Sequence, residues 1–123
     1  MIEIHPLREK DKLAILYKSA EVIMTENSMA VVMCDGDEVL GNCLFDLCDD
    51  FLIVNHIEPK DDAMMADGIL RSALHVGVQN GKMKAFYSEK APFDLINKLG
   101  FVKNKDNKEI NVEKLFGSCC KSC

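Results

Sequence analysis

The chain predicts an α/β domain on one mixed sheet, antiparallel in its first half and with a single parallel crossover in its second. Three observations carry this. Asp35-Gly36 separates two apolar runs, residues 30–34 and 39–47, and Asp-Gly between such runs is a strong hairpin signal. Cys48-Asp49-Asp50 makes a second turn into residues 51–57 (FLIVNHI), so three strands follow one another as a meander. A long helical pattern then separates that strand from residues 83–87 (MKAFY), and a strand, helix, strand unit pairs its two strands in parallel.

Taken in order, residues 1–7 alternate loosely around Ile2, Ile4 and Leu7 and read as a first strand. Pro6 confines it to an edge or terminal position, because proline cannot donate to a ladder. Residues 9–25 place Leu13, Leu16, Tyr17, Ala20, Ile23 and Met24 at helical spacing, with Lys10, Lys12, Lys18 and Glu21 on the solvated face. In the hairpin both Asp35 and Gly36 are expected at positive φ, and Gly41 marks a bulge or the close approach of another backbone. Pairing of the strand at 51–57 should lapse at Pro59. Asp61 or Asp62 then caps a helix whose residues Ile69, Leu70, Ala73, Leu74 and Gly77 share one face, and Gly81 ends it. His75, mid-helix among apolar residues, reads as packed, and Met64 and Met65 as core filling. After residues 83–87, Pro92 suits the first turn of a short helix lined by Phe93, Ile96 and Leu99 and ended by Gly100. Residues 101–102 and 110–112, around a turn at Asp106-Asn107, complete a final hairpin.

Composition bounds the rest. With 123 residues, 48% of them hydrophobic, there is enough apolar surface for one core, and no linker or repeat argues for a second domain. The expected organisation is a domain over residues 1–116 and a cysteine-rich tail over 117–123. Net charge is −5 with basic residues scattered, whereas nucleic-acid binding needs them clustered, so nucleic acid is excluded as an expected partner. The first residues lack an apolar core of signal-peptide length, and no run has the twenty or so apolar residues a membrane helix needs. The expectation is a soluble, cytoplasmic protein that does not meet membrane and keeps its six cysteines mostly reduced.

Element order and three local sequences resemble the GNAT family of acetyl-CoA-dependent N-acetyltransferases. IEIHPLREKDKLAILYK is similar to the family's opening strand and helix. The strand, Pro59 and following helix fall where the family places its coenzyme motif, and PFDLINKLGFVK resembles the short helix and Leu-Gly-Phe segment after its fifth strand. The resemblance implies a GNAT-like fold over roughly residues 2–112 and acyl transfer from a coenzyme A thioester to an amine. It implies coenzyme contacts from Ile57, Asp62, Ala63, Met64, Met65, Ala66 and Asp67. The family's loop reads Arg/Gln-x-x-Gly-x-Gly/Ala; here Asp62 replaces the basic or amide residue and Met65 the first glycine, a degenerate coenzyme loop. One like-charge pair near 4 Å costs about 4 kcal/mol at an effective dielectric of ~20. Helix-terminal amides offset only ~1 kcal/mol per charge. Asp61, Asp62 and Asp67 are therefore expected to oppose a diphosphate.

The resemblance implies a general base from Glu58 or His56 at the strand end. It places Ile96 where many members carry a tyrosine acid, leaving Tyr87 as the nearby phenol. The chain has room for one helix between its first two strands, where the family usually has two. The acceptor side is then open, or completed by a second copy in a homodimer.

Cys34, Cys43 and Cys48 lie on or beside strands and read as small hydrophobes. Cys119, Cys120 and Cys123 differ in kind. Cys120 and Cys123 have the C-x-x-C spacing that lets two sulfurs reach one metal, and Cys119 adds a third. Zinc with a fourth ligand from Cys34, Cys48, a histidine or a second chain, Cu(I) on three thiolates, and a redox disulfide between 120 and 123 all stay open. The function expected is N-acyl transfer. The alternative is a catalytically silent GNAT-like protein binding a small-molecule ligand, with the tail as metal or redox site.

Overall fold

The computed structural model describes residues 1–116. Its order is β1 (Ile2–Pro6), α1 (Lys10–Ser19), β2 (Ser28–Asp35), β3 (Glu38–Leu47), β4 (Phe51–Glu58), α2 (Ala63–Gln79), β5 (Lys84–Tyr87), α3 (Phe93–Lys98), β6 (Val102–Asn104), β7 (Glu109–Ile110) and a closing 3-10 turn (Val112–Leu115). Among the described residues one sheet in the order β1-β2-β3-β4-β5-β7-β6 holds every strand, and the β4–β5 pair alone is parallel. The fold class read from the sequence is the one observed.

Several local expectations shift. The first helix stops at Ser19 rather than running to 25, because Glu21 takes a left-handed φ of 58°. That chain reversal lets Lys90 Nζ reach the Glu21 carbonyl at 3.3 Å. In the hairpin Asp35 pairs with Glu38, so the turn residues are Gly36 and Asp37, and only Gly36 has positive φ (63°). Val112 belongs to the closing 3-10 turn, not to the last strand.

Two helix layers cover the sheet. On one face α2 lays Ile69, Leu70, Ala73, Leu74 and Gly77 against Val31, Cys43, Phe45, Leu52, Val54 and Ile57, and α3 adds Leu95 and Ile96. At Gly77 α2 comes close to β4: a Cβ would lie 2.9 Å from Leu52 Cδ1, which would have to shift. On the other face α1 packs through Tyr17 onto Ala30 and Leu44. The buried Tyr17 hydroxyl lies 2.7 Å from the Met29 carbonyl and 3.1 Å from that of Phe45, tying α1 to β2 and β3 at once.

Two residues read as core are at the surface. Met64 is 86% exposed, and His75 is exposed on α2. Each helical residue advances about 100°, so 75 falls on the far side of the stripe formed by 69, 70, 73, 74 and 77. Cys43 is fully buried and its thiol is pushed well above its ordinary value by desolvation; Cys34 and Cys48 are partly exposed. No helix among the described residues is long and apolar enough to cross a membrane.

Candidate acyl-transfer site

β4 builds the site by leaving its partner. It pairs with β5 from Phe51↔Lys84 to Val54↔Tyr87, and the Ser88 N–H to Val54 carbonyl bond at 2.9 Å is the last link. The chain then turns away toward α3, while residues 56–58 go on pairing with β3 among the described strands. On the β5 side the β4 backbone is thus an open edge. Such an edge can take an extended, amide-bearing ligand as a strand would.

A bulge sets what this strand end presents. Leu44 pairs with His56 but Phe45 with Val54, leaving Asn55 as the extra residue. Asn55 Nδ2 donates to Asp46 Oδ2 at 3.2 Å, and Ser28 Oγ donates to Asp46 Oδ1 at 2.8 Å, which holds the bulge. Past it, Ile57 faces α2 and is fully buried, so the alternation along the strand sends His56 and Glu58 to the α1 face. Gly41 lets this end close down: a Cβ there would lie 2.5 Å from the Glu58 carbonyl oxygen, 2.7 Å from Ile69 Cδ1 and 2.8 Å from Pro59 Cδ. Both readings of Gly41 hold, because Leu40 beside it is itself an unmatched, bulged residue.

The structure brings together Glu58, His56 and a residue the sequence reading missed, Asn42. Asn42 sits opposite Glu58 on β3 and donates Nδ2 to Glu58 Oε2 at 3.2 Å. His56 Nε2 lies 3.2 Å from the same oxygen without forming a hydrogen bond to it. The Glu58 side chain is half exposed (53%) and that of His56 nearly buried (12%). Among the described residues, Asn42 Oδ1 and His56 Nε2 are both buried without a hydrogen-bond partner. Orphaned polar atoms of this kind cost about 1–3 kcal/mol each. With the ring proton on Nδ1, Nε2 is an acceptor, and the three atoms together form a set suited to an N–H donor. The signal for Asn42 was a lone amide in an apolar strand beside a glycine, but its partner follows only from the register.

Tyr87 is elsewhere. It is buried on the face that carries α2 and α3, its ring 5.7 Å from that of Phe93. Two cavities flank the strand opening. One of about 420 Å³ is lined by Asp46, Asn55, Ser88, Glu89 and Lys90 with Val22 and Ile23; the other, of about 380 Å³, lies along α3 and is lined by Lys60, Pro92, Phe93, Asp94, Leu95 and Lys98.

The α2 terminus fits a diphosphate poorly. Asp62 caps it, accepting the Met65 N–H at 3.1 Å, so a carboxylate of the chain already holds an amide that a phosphate would use. Ala66 is fully buried and its N–H bonds the Asp62 carbonyl. Ala63 opens the helix, and Met64 points its side chain to solvent. The charge count is milder than the sequence implied: Asp67 is paired with Arg71 at 2.7 Å, and Lys60 and Lys98 line the neighbouring cavity. Cys119, Cys120 and Cys123 lie outside the described residues, and no cluster of three metal-ligating side chains occurs among the described ones.

No protein-family model matches the chain, and no curated protein matches its sequence. Solved structures do match its fold. One is the ribosomal-protein-S18-alanine N-acetyltransferase from Escherichia coli, 14% identical, covering 89% of this chain and 88% of that one at a TM-score of 0.60. Another is a mutant of the AtaT toxin bound to the C-terminus of the antitoxin AtaR, 14% identical, covering 94% and 97% at a TM-score of 0.52.

Proposed function

We propose that this domain, which has the GNAT acetyltransferase fold, moves an acyl group from a thioester onto an amine. The observation that carries the reading is the cluster at the end of β4: the Glu58 carboxylate, the orphaned Asn42 Oδ1 and His56 Nε2, beside the edge β5 has abandoned. An amine placed there finds acceptors for its N–H groups; as it attacks the thioester carbonyl the C–S bond breaks, the thiolate leaves and takes a proton from solvent, and Glu58 takes the proton the amine sheds as it becomes an amide. Asn42 holds the carboxylate in place, and His56 lies close enough to share that proton. A coenzyme A thioester would supply the activated carbonyl. The open edge of residues 55–58 would suit its amide-bearing arm, and Lys60 and Lys98, which line the cavity along α3, would offer cations to its phosphates. The α2 cap does not suit its diphosphate, so no step is assigned to that terminus.

That misfit favours a second reading, a GNAT-fold protein that binds a different, uncharged or cationic ligand in the same opening without catalysis. Calorimetric titration with acetyl-CoA separates the two. Micromolar binding, with acyl transfer to a panel of primary amines that Glu58→Gln abolishes, supports the enzyme. Millimolar or no binding, unaffected by Asp62→Arg, retires it.

A further inference from the structure

β1 is an edge of the sheet, paired with β2 and with no second strand among the described residues. The Leu7 N–H bonds the Ala30 carbonyl at 2.9 Å, one step beyond the Pro6↔Val31 pair. Bonding alternates along an antiparallel ladder, so residues 3, 5 and 7 turn their backbone groups to β2. Ile2, Ile4 and Pro6 turn theirs outward, and proline stands where β2 asks no N–H of it. The surface around this edge is apolar. Nine large apolar side chains are exposed among the described residues, and five of them lie here: Met1, Ile2, Ile15, Val39 and Phe116. Ile15 and Val39 line a cavity of about 360 Å³ on the α1 side of β1, and Phe116 lines a groove of about 520 Å³ between β1 and α2. The proposed acyl transfer uses none of these groups.

We propose that two copies of this chain pair through β1, antiparallel about a twofold axis at Ile4. Residue 4 then meets residue 4 of the other copy, 2 meets 6, and 3 meets 5. The Glu3 carboxylate lies opposite the partner's His5, an anion against a ring that donates or carries positive charge, and symmetry makes the contact twice. Glu3 and His5 spend their backbone groups on β2. Across the new seam they therefore form a non-hydrogen-bonded pair, the kind that brings side chains closest. Neighbouring registers lack this match. A shift of two residues one way sets Glu3 against Glu3, and the other way His5 against His5. Odd registers oppose outward backbone groups to inward ones. In the matched register the Ile4 N–H and carbonyl bond Ile4 of the partner subunit in both directions, and at each end the Ile2 N–H reaches a Pro6 carbonyl. His5 Nδ1 lies 3.1 Å from that carbonyl, which has a second lone pair for the new bond. On the other face Ile4, already packed on the core, meets Ile4 of the partner subunit, and Ile2 meets the partner's Pro6, so the apolar floor of the groove runs on across the seam.

The test is sedimentation of the full chain under reducing conditions, so that no disulfide links two copies, with amide exchange read by NMR. Expected are a concentration-dependent dimer and protection of the Ile4 N–H that rises with it. Glu3→Arg, at an exposed position, should weaken the dimer roughly tenfold while leaving the circular dichroism spectrum unchanged. Glu3→Arg combined with His5→Glu, which is also exposed, exchanges the two charges and should restore the dimer. A monomer at high micromolar concentration overturns the proposal. If the Ile4 N–H of that monomer is protected at every concentration, another segment of the same chain holds the edge. A dimer indifferent to Glu3→Arg, or one that the exchanged pair fails to restore, overturns it too, since the copies would then meet elsewhere or in another register.

Discussion

His56 Nε2 stands 3.2 Å from Glu58 Oε2, on a strand end whose other edge has no partner among the described residues. A carboxylate half in water and half held by Asn42 can accept a proton without unfolding anything. Glu58→Gln keeps the shape and removes the base. It should lower amine acylation by acetyl-CoA about 10²–10⁴-fold. Because Glu58 is partly exposed, the melting temperature should stay within the small range of surface substitutions. Steady-state rates for parent and variant decide it, and equal rates would leave Glu58 without a catalytic role.

Asp62 couples stability to ligand binding with opposite signs. Asp62→Ala removes the Met65 N–H partner and should cost about 1 kcal/mol of stability, read by urea unfolding. The same change frees that amide and deletes a negative charge, so acetyl-CoA should bind the variant more tightly by calorimetry. Weaker or unchanged binding would show that the cap does not compete with the diphosphate.

Gly41 is where β3 meets the end of β4 too closely for any side chain. Gly41→Ala forces a Cβ against the Glu58 carbonyl, Ile69 and Pro59, and should destabilise by about 1–3 kcal/mol in denaturant. It should also displace Glu58, so that activity falls further than stability alone explains. A neutral effect on both would mean that the strand ends move apart freely.

Tyr17 makes stability depend on alkaline pH. Burial pushes its phenol above its ordinary value of 10.0, so the folded state keeps the proton where the unfolded state loses it. The unfolded chain then binds fewer protons, and stability must fall as pH rises above about 10. Below that, Tyr17 contributes in full. Tyr17→Phe should cost about 1–2 kcal/mol at neutral pH through the lost bonds to Met29 and Phe45. It should also show a shallower decline between pH 9 and 11. Parallel melting curves across that range would refute the assignment.

Much of the fold was legible because local chemistry enforces it. The existence of a hairpin at Gly36, the Asp62 cap, the stripe on α2 and the glycine ends at 81 and 100 each follow from residues within a few positions of one another. The differences also have local causes: the apolar spacing after Lys10 runs on past the point where Glu21 reverses the chain, and His75 has apolar neighbours in sequence but an angle around the helix that turns it to solvent.

The amino-acid sequence by itself determined the strand and helix order, the parallel crossover and the chemistry of the α2 terminus, since periodicity, turn residues and charge act over short spans. Only the tertiary structure decided that Asn42 holds Glu58, that Asp67 is neutralised by Arg71 within the fold, and that Tyr87 lies on the other face from His56. The bulge at Asn55 and the register of β3 against β4 fix those meetings. A one-residue slip in register sends every side chain to the opposite face, and that choice is made by packing the whole sheet rather than by any stretch of it.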